Sequence, residues 1–404
     1  MTSPAHRLPL TPSSITAAHA LIKSHIHHTP VLTSKTLNAL ASSPHPRSIL
    51  LNNNTTTTST PTKTDTETDT PTPKINLFFK CENLQKIGAF KPRGAFHALL
   101  RLVEVEGIET VRRRGVVTHS SGNHAQALSL ASSTLLIPAT IIMPTISTPS
   151  KISSTAAHGA RIIFSGSTSV EREAAVASVI ADTNAFLIPP YDHPDIILGQ
   201  GTVGYEMEGQ VGEMVGEKPG LSVHFNSGDG KDGVGRGMGE LDAVITPVGG
   251  GGLNAGVATW FSDKPGTLVF GAEPTYQGAD DCARGLRAGK RVETVSTLTI
   301  ADGLRTPVGE IPWGVISDPG KVAGVYGVSE EEILLAMRVV VERMKVFIEP
   351  SAAVGVAVVL FNEEFRGRVV RECEEKGLKG WDVGVVLSGG NTTVERVGEL
   401  FGGK

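Results

Sequence analysis

The sequence predicts an α/β protein built on parallel sheets with helices on both faces. Three observations predict it. Short β-rich runs alternate with longer helical ones along most of the chain, the pattern of βαβ crossovers. Several of the short runs are nearly continuous apolar stretches, as strands covered on both faces must be. The length of 404 residues also exceeds what one hydrophobic core usually supports, so two domains are expected.

The elements follow in order. Strands are expected at 75–81, 115–119, 139–143, 161–164, 185–188, 241–246, 268–272 and 383–387. Helices are expected at 94–106, 123–133, 169–183, 252–263, 330–342 and 351–362. Residues 52–73, asparagines and repeated threonines ending in Pro71-Thr72-Pro73, hold almost nothing to bury and read as a disordered insertion. Residues 226–239 are rich in glycine and read as a flexible loop, since no Gly-Lys-Ser/Thr marks a phosphate loop there.

Composition excludes several function classes. A net charge of −4 argues against binding driven by nucleic-acid phosphates. No run approaches the roughly 18 apolar residues of a membrane span. Cys81, Cys282 and Cys373 are widely spaced without a CxxC pair, which fits a reducing compartment. With neither a signal core nor an Arg-rich presequence at the start, a cytoplasmic location is expected.

In such sheets ligands sit in the loops that follow strand carboxyl ends, and four of these loops are unusual. After 75–81 comes a loop ending in Phe90-Lys91-Pro92-Arg93, with Lys91 at the entrance of a helix. A helix N-terminus and partial desolvation both lower an ammonium pKa, as Schiff-base formation requires; a plain surface lysine is the other reading. After 115–119 comes Ser120-Ser121-Gly122-Asn123-His124, where free helix N–H groups favour an anion or the run simply caps the helix. After 241–246 comes Gly249-Gly250-Gly251-Gly252-Leu253, which lets several backbone N–H groups face one phosphate. After 383–387 comes Ser388-Gly389-Gly390-Asn391, one hydroxyl at a strand end or a simple turn.

The order of these four segments resembles the fold-type II pyridoxal-phosphate enzymes, the family of serine and threonine dehydratases and serine racemase. Further matching runs are His28-Thr29-Pro30-Val31, Gly199-Gln200-Gly201-Thr202, Ala301-Asp302-Gly303-Leu304 and Glu349-Pro350. The resemblance covers nearly the whole chain. It implies a tryptophan synthase β-like fold of two domains, each an open, mainly parallel twisted sheet flanked by helices. The large domain would be 1–114 with 193–404, and the small, mobile one 115–192.

The resemblance also implies roles. Lys91 would hold pyridoxal 5′-phosphate as an internal aldimine and act as base on one face of the substrate. Phe90 would pack near the ring, Asn123 would bond its phenolic oxygen, Ser388 would face its nitrogen, and Gly249 to Gly252 with Leu253 would cup the phosphate. Ser120, Asn123, His124 and Arg172 would hold the substrate carboxylate, and Ser121 would exchange the proton on the opposite face. Glu273, the Ala279 carbonyl and Asp281 would bind Mg²⁺, Ca²⁺ or Mn²⁺, although Thr275-Tyr276-Gln277-Gly278 lengthens that turn.

The implied activity is racemisation of serine and dehydration of serine or threonine by a homodimer. Gln126 matches a position near a nucleotide site, which introduces ATP as an effector. Elimination from threo-3-hydroxyaspartate is the alternative, because Pro190-Tyr191-Asp192-His193-Pro194 resembles the segment in such dehydratases. An unregulated threonine dehydratase is a third reading. A silent ligand-binding relative is a different class, against which the intact Lys91, Ser121 and Ser388 speak.

Overall fold

Where the sequence runs apolar at every position, a strand lies between two helical layers. The computed structural model describes residues 7–52, 72, 74–120, 122–147, 149–166, 169–225 and 237–402. The expected insertion at 52–73 and loop at 226–239 therefore fall largely outside the described residues. Ten strands are present among the described residues: β1 (Val31–Thr33), β2 (Ile75–Cys81), β3 (Val116–His119), β4 (Ala139–Pro144), β5 (Arg161–Ser165), β6 (Phe186–Leu187), β7 (Ala243–Pro247), β8 (Leu268–Pro274), β9 (Gly324–Val328) and β10 (Trp381–Leu387).

They form two sheets. The larger has the order β1-β2-β10-β7-β8-β9 and the smaller β5-β4-β3-β6. Every pairing is parallel except that of β1 with β2. Central β7 and β10 are buried at every position, as double coverage requires. The helix Pro350–Phe361, buried along its whole length, covers one face of the larger sheet. The helices Pro194–Glu217 and Gly252–Phe261 cover the other.

The helix Pro194–Glu217 was not among the expected elements. Its glycines explain both its obscurity in sequence and its place in the fold. A Cβ on Gly199 would lie 2.6 Å from the Arg93 carbonyl, and one on Gly201 2.7 Å from the Gly256 carbonyl. Only glycine lets this helix pass so close to two others. β1 and β9 were also unanticipated, one being very short and the other holding two glycines.

The core of the smaller sheet takes in Ala95, Phe96 and Leu99 of the helix Pro92–Glu106, together with Ile22 and Ile26. Its covering layer thus begins before residue 115. One helix carries both the lysine loop and the apolar face that seats the smaller sheet.

Candidate active site

Register assembles the site. Cys81 pairs with Leu387, so the loops after β2 and β10 leave the sheet side by side. They are stitched together by Phe90 N–H to the Ser388 carbonyl at 3.1 Å and Gly390 N–H to the Gly88 carbonyl at 2.8 Å. β7 is the other neighbour of β10, which puts the glycine loop next in line.

Lys91 stands at the start of the helix Pro92–Glu106, with Pro92 in the first turn, where a missing N–H does no harm. Arg93 anchors that end. Fully buried, it donates to Glu82 Oε2 at 2.7 Å and Oε1 at 2.8 Å, and to Glu206 Oε1 at 2.9 Å and Oε2 at 2.7 Å. Lys80 Nζ also reaches Glu206 at 2.7 Å. Two bidentate forks and two cations leave neither buried carboxylate unpaired. Lys91 has no such partner. Its Nζ donates to the Pro190 carbonyl at 2.9 Å and lies 5.0 Å from the centre of the Phe90 ring. Burial alone lowers its pKa to about 8.

The glycine loop can be made of nothing else. Gly251 adopts φ +84°, and a Cβ there would lie 2.8 Å from Pro312 Cβ. A Cβ on Gly249 would meet Leu304 Cα at 2.9 Å, and one on Gly250 would enter the Tyr191 ring at 2.2 Å from Cγ. Among the described residues no acceptor takes the N–H groups of Gly249, Gly250 or Gly251. With Gly252 and Leu253 opening the helix Gly252–Phe261, this is the donor set that a phosphate monoester takes. Pro190 bonds Lys91 and the next residue lies on Gly250, so the lysine and the phosphate cup are spanned by consecutive residues.

The second anion loop opens the helix Asn123–Thr134, whose N-cap Gly122 offers no side chain. Ser120 Oγ accepts from Gly122 N–H at 3.2 Å. Ser121 lies outside the described residues. Asn123 Nδ2 donates to Glu349 Oε1 at 3.0 Å. The His124 imidazole donates from Nε2 to the Ile188 carbonyl at 3.2 Å. Burial first, then nearby Lys91, hold its pKa down to about 3, so it is neutral, and its buried Nδ1 has no partner. Arg172, in the helix Ser169–Thr183, lies near enough to His119 to lower that imidazole's pKa, after burial. Ser388 is buried at the end of β10.

Glu273, Ala279 and Asp281 gather at the end of β8. Both Glu273 oxygens accept backbone N–H groups, from Cys282 at 3.0 Å and Ala283 at 2.9 Å. Burial and then Asp281 push its pKa well up, and burial raises Asp281 to about 6. No cation pairs with either among the described residues. Asp281 likewise accepts the Val308 N–H at 3.2 Å, and both acids and Ala279 are buried. A separate cluster of His224, Asp242 and Asp382 stands at the opposite end of β7 and β10. His224 Nε2 bonds Asp242 at 2.7 Å, and the Val223 N–H bonds Asp382 at 3.0 Å, so these groups mostly satisfy one another.

Sequence reasoning missed Glu349, Asn391 and the strap at Pro190 as parts of the site. They were visible only as members of matching runs.

A lysine of lowered pKa beside a cup of unpartnered glycine N–H groups, on the edge of a parallel sheet, is the arrangement that a pyridoxal-phosphate enzyme needs. The family model for pyridoxal-phosphate dependent enzymes matches residues 58–389, and the chain belongs to that family. It is 37% identical over 389 residues to serine racemase of Arabidopsis thaliana, covering 96% of this chain and 95% of that one. It is 34% identical to L-threo-3-hydroxyaspartate ammonia-lyase of Saccharomyces cerevisiae, covering 95% and 94%. Among solved structures, maize serine racemase superposes with a TM-score of 0.74 at 32% identity, covering 97% and 96%.

Proposed function

We propose that this enzyme racemises serine and dehydrates serine and threonine, giving a 2-oxo acid and ammonia from the β-hydroxy substrates. The observation that carries this reading is Lys91: burial lowers its pKa to about 8, and it bonds the Pro190 carbonyl next to Tyr191, which lies on Gly250. The relatives narrow the substrate to small β-hydroxy amino acids.

Gly249, Gly250, Gly251, Gly252 and Leu253 would hold the cofactor phosphate, Phe90 the ring, Asn123 the phenolic oxygen and Ser388 the ring nitrogen. Bound there, the cofactor would supply a covalent carbonyl and an electron sink for charge at the substrate Cα. Ser120, Arg172 and the first N–H groups of the helix Asn123–Thr134 orient the substrate carboxylate; His124 contributes its backbone, its ring being committed to Ile188. Lys91 Nζ takes the Cα proton on one face, and the Ser121 hydroxyl returns or removes one on the other. A hydroxyl at Ser388 cannot keep a pyridine nitrogen protonated as a carboxylate would, which favours prompt elimination or reprotonation over transamination.

Elimination from threo-3-hydroxyaspartate is the second reading. The strap from Pro190 to His193, similar to that of such dehydratases, touches both Lys91 and the glycine loop. The acids Glu273 and Asp281 with the Ala279 carbonyl would bind Mg²⁺, Ca²⁺ or Mn²⁺. A homodimer, a nucleotide effector near Gln126, a cytoplasmic location and hinged motion of 115–192 complete the proposal.

Assaying both serine enantiomers, threonine and the hydroxyaspartate diastereomers side by side tests it. Turnover of serine with inversion is expected. Activity confined to hydroxyaspartate selects the second reading, and turnover of none by cofactor-loaded protein overturns both. Ser121→Ala should abolish racemisation while sparing dehydration of L-serine; equal loss of both contradicts its role.

A further inference from the structure

Three residues from three separate elements close a hydrogen-bonded ring beside the lysine loop. Asn123 opens one helix, Glu349 caps another, and Asn391 follows β10. Asn123 Nδ2 donates to Glu349 Oε1 at 3.0 Å, and Asn391 N–H donates to Glu349 Oε2 at 3.1 Å. Asn391 Nδ2 closes the ring by donating to Asn123 Oδ1 at 2.9 Å.

The direction of each bond is fixed. Asn391 Nδ2 also donates to the Ile87 carbonyl at 2.7 Å, and a carbonyl only accepts. Asn123 must therefore turn its oxygen to Asn391 and its nitrogen to the carboxylate. Glycines make the room: a Cβ on Gly389 would lie 2.5 Å from Glu349 Oε1, and one on Gly88 2.8 Å from Asn391 Oδ1. Glu349 is 5% exposed and has no ion-pair partner among the described residues. An acid buried without a cation is unfavourable, so stability alone gives no reason for it here.

We propose that Glu349 is a positioning residue: with Asn391 it holds the Asn123 amide so that the second hydrogen on Nδ2 is kept for the phenolic oxygen of the bound cofactor. This rests on the reading of Asn123 as the residue that meets that oxygen. Ionised Glu349 accepts one N–H at each oxygen; a proton on either oxygen removes the charge and weakens both bonds. Burial first, then Asp302, raise its pKa, while Asn123, Lys151 and Asn391 hold it down, leaving about 7. Lys151 and Asp302 also pair with each other. The ring is intact above that pH and loosened below it.

The test uses cofactor-loaded protein and two readouts other than turnover: the visible absorption of the bound cofactor against pH, and its dissociation constant. Wild type should show a spectral transition near neutrality that Glu349→Gln removes. Glu349→Gln should also weaken cofactor binding about five- to tenfold, the worth of one hydrogen bond. Asn391→Ala should weaken it similarly by freeing the other end of Asn123, and it serves should the first variant fold poorly. In an Asn123→Ala background, Glu349→Gln should add less than about twofold. An unchanged transition in Glu349→Gln, or equal weakening in the Asn123→Ala background, overturns the positioning role. If Asn123→Ala alone leaves both readouts unchanged, the cofactor contact of Asn123 falls and the proposal falls with it. If Asn123→Ala weakens binding and Glu349→Gln does not, only the positioning role falls.

Discussion

Reactivity of Lys91 can be predicted from its surroundings. Burial takes its pKa from 10.5 to about 8. At pH 7 about one amine in ten is then unprotonated, against about three in ten thousand for an ordinary lysine, a gain of about 300-fold in nucleophile. Cofactor-free protein treated with a small aldehyde and cyanoborohydride at a series of pH values should be modified first at Lys91. The midpoint of labelling, read by peptide mass spectrometry, should lie near 8. Lys80 is an internal control: it is fully buried where Lys91 is only partly so, and its Nζ is held by Glu206 at 2.7 Å, Gln210 at 2.8 Å and the Thr29 carbonyl at 2.8 Å, so it should stay unlabelled. If Lys91 follows the surface lysines, or Lys80 labels as readily, burial is not what activates this amine and the reasoning is refuted.

Other outcomes follow from the same geometry. Arg93→Met leaves Glu82 and Glu206 short of a buried cation and should cost about 3–5 kcal/mol, read as a shift in denaturation midpoint, with Arg93→Lys unable to restore both bidentate contacts. Gly251→Ala forces a side chain into φ +84° and against Pro312; it should weaken cofactor binding at least about tenfold, with backbone strain of about 1–3 kcal/mol, whereas Gly314→Ala meets nothing within 4 Å and should leave binding unchanged. Mg²⁺ or Ca²⁺ should raise the melting temperature of chelator-treated protein, and Glu273→Gln should remove that effect. Sign matters there: Asp281 has a folded pKa raised from 3.8 to about 6, so without an ion stability falls as pH rises between those values and stays low above them. The ion offsets that loss, and its stabilisation should fade as pH drops below about 6.

What the sequence disclosed depended on how local the signal was. Lys91 and the glycine loop were legible because the loops that carry them each follow an apolar strand, and strand-end loops carry the chemistry in parallel sheets. The long helix Pro194–Glu217 was not. Its glycines blur helical propensity, and their purpose appears only when Arg93 and Gly256 are found against them. Glu349 and Asn391 matched the family pattern without revealing a role, since each meets Asn123 across more than 200 residues of chain. At His124 the sequence marked a helix start able to hold an anion but not the state of the ring: burial keeps the imidazole neutral and the Ile188 carbonyl takes its one hydrogen.

The charged groups near Lys91 explain why this site needs the buried cluster two residues away. Glu82 and Glu206 are two carboxylates buried in that region, and either one beside Lys91 would hold its amine protonated. Arg93 and Lys80 instead engage both, and against its burial the His19 hydrogen bond, then Arg93 and Lys80, drive the Glu206 pKa strongly down. Around Lys91 only burial acts. The same cause keeps His124 neutral and lifts Glu349 to about 7, so three buried groups are each pushed toward their uncharged forms. A site arranged in this way has its charges balanced before any substrate arrives, and the amine at its centre, about one in ten unprotonated at pH 7, is held by one backbone carbonyl.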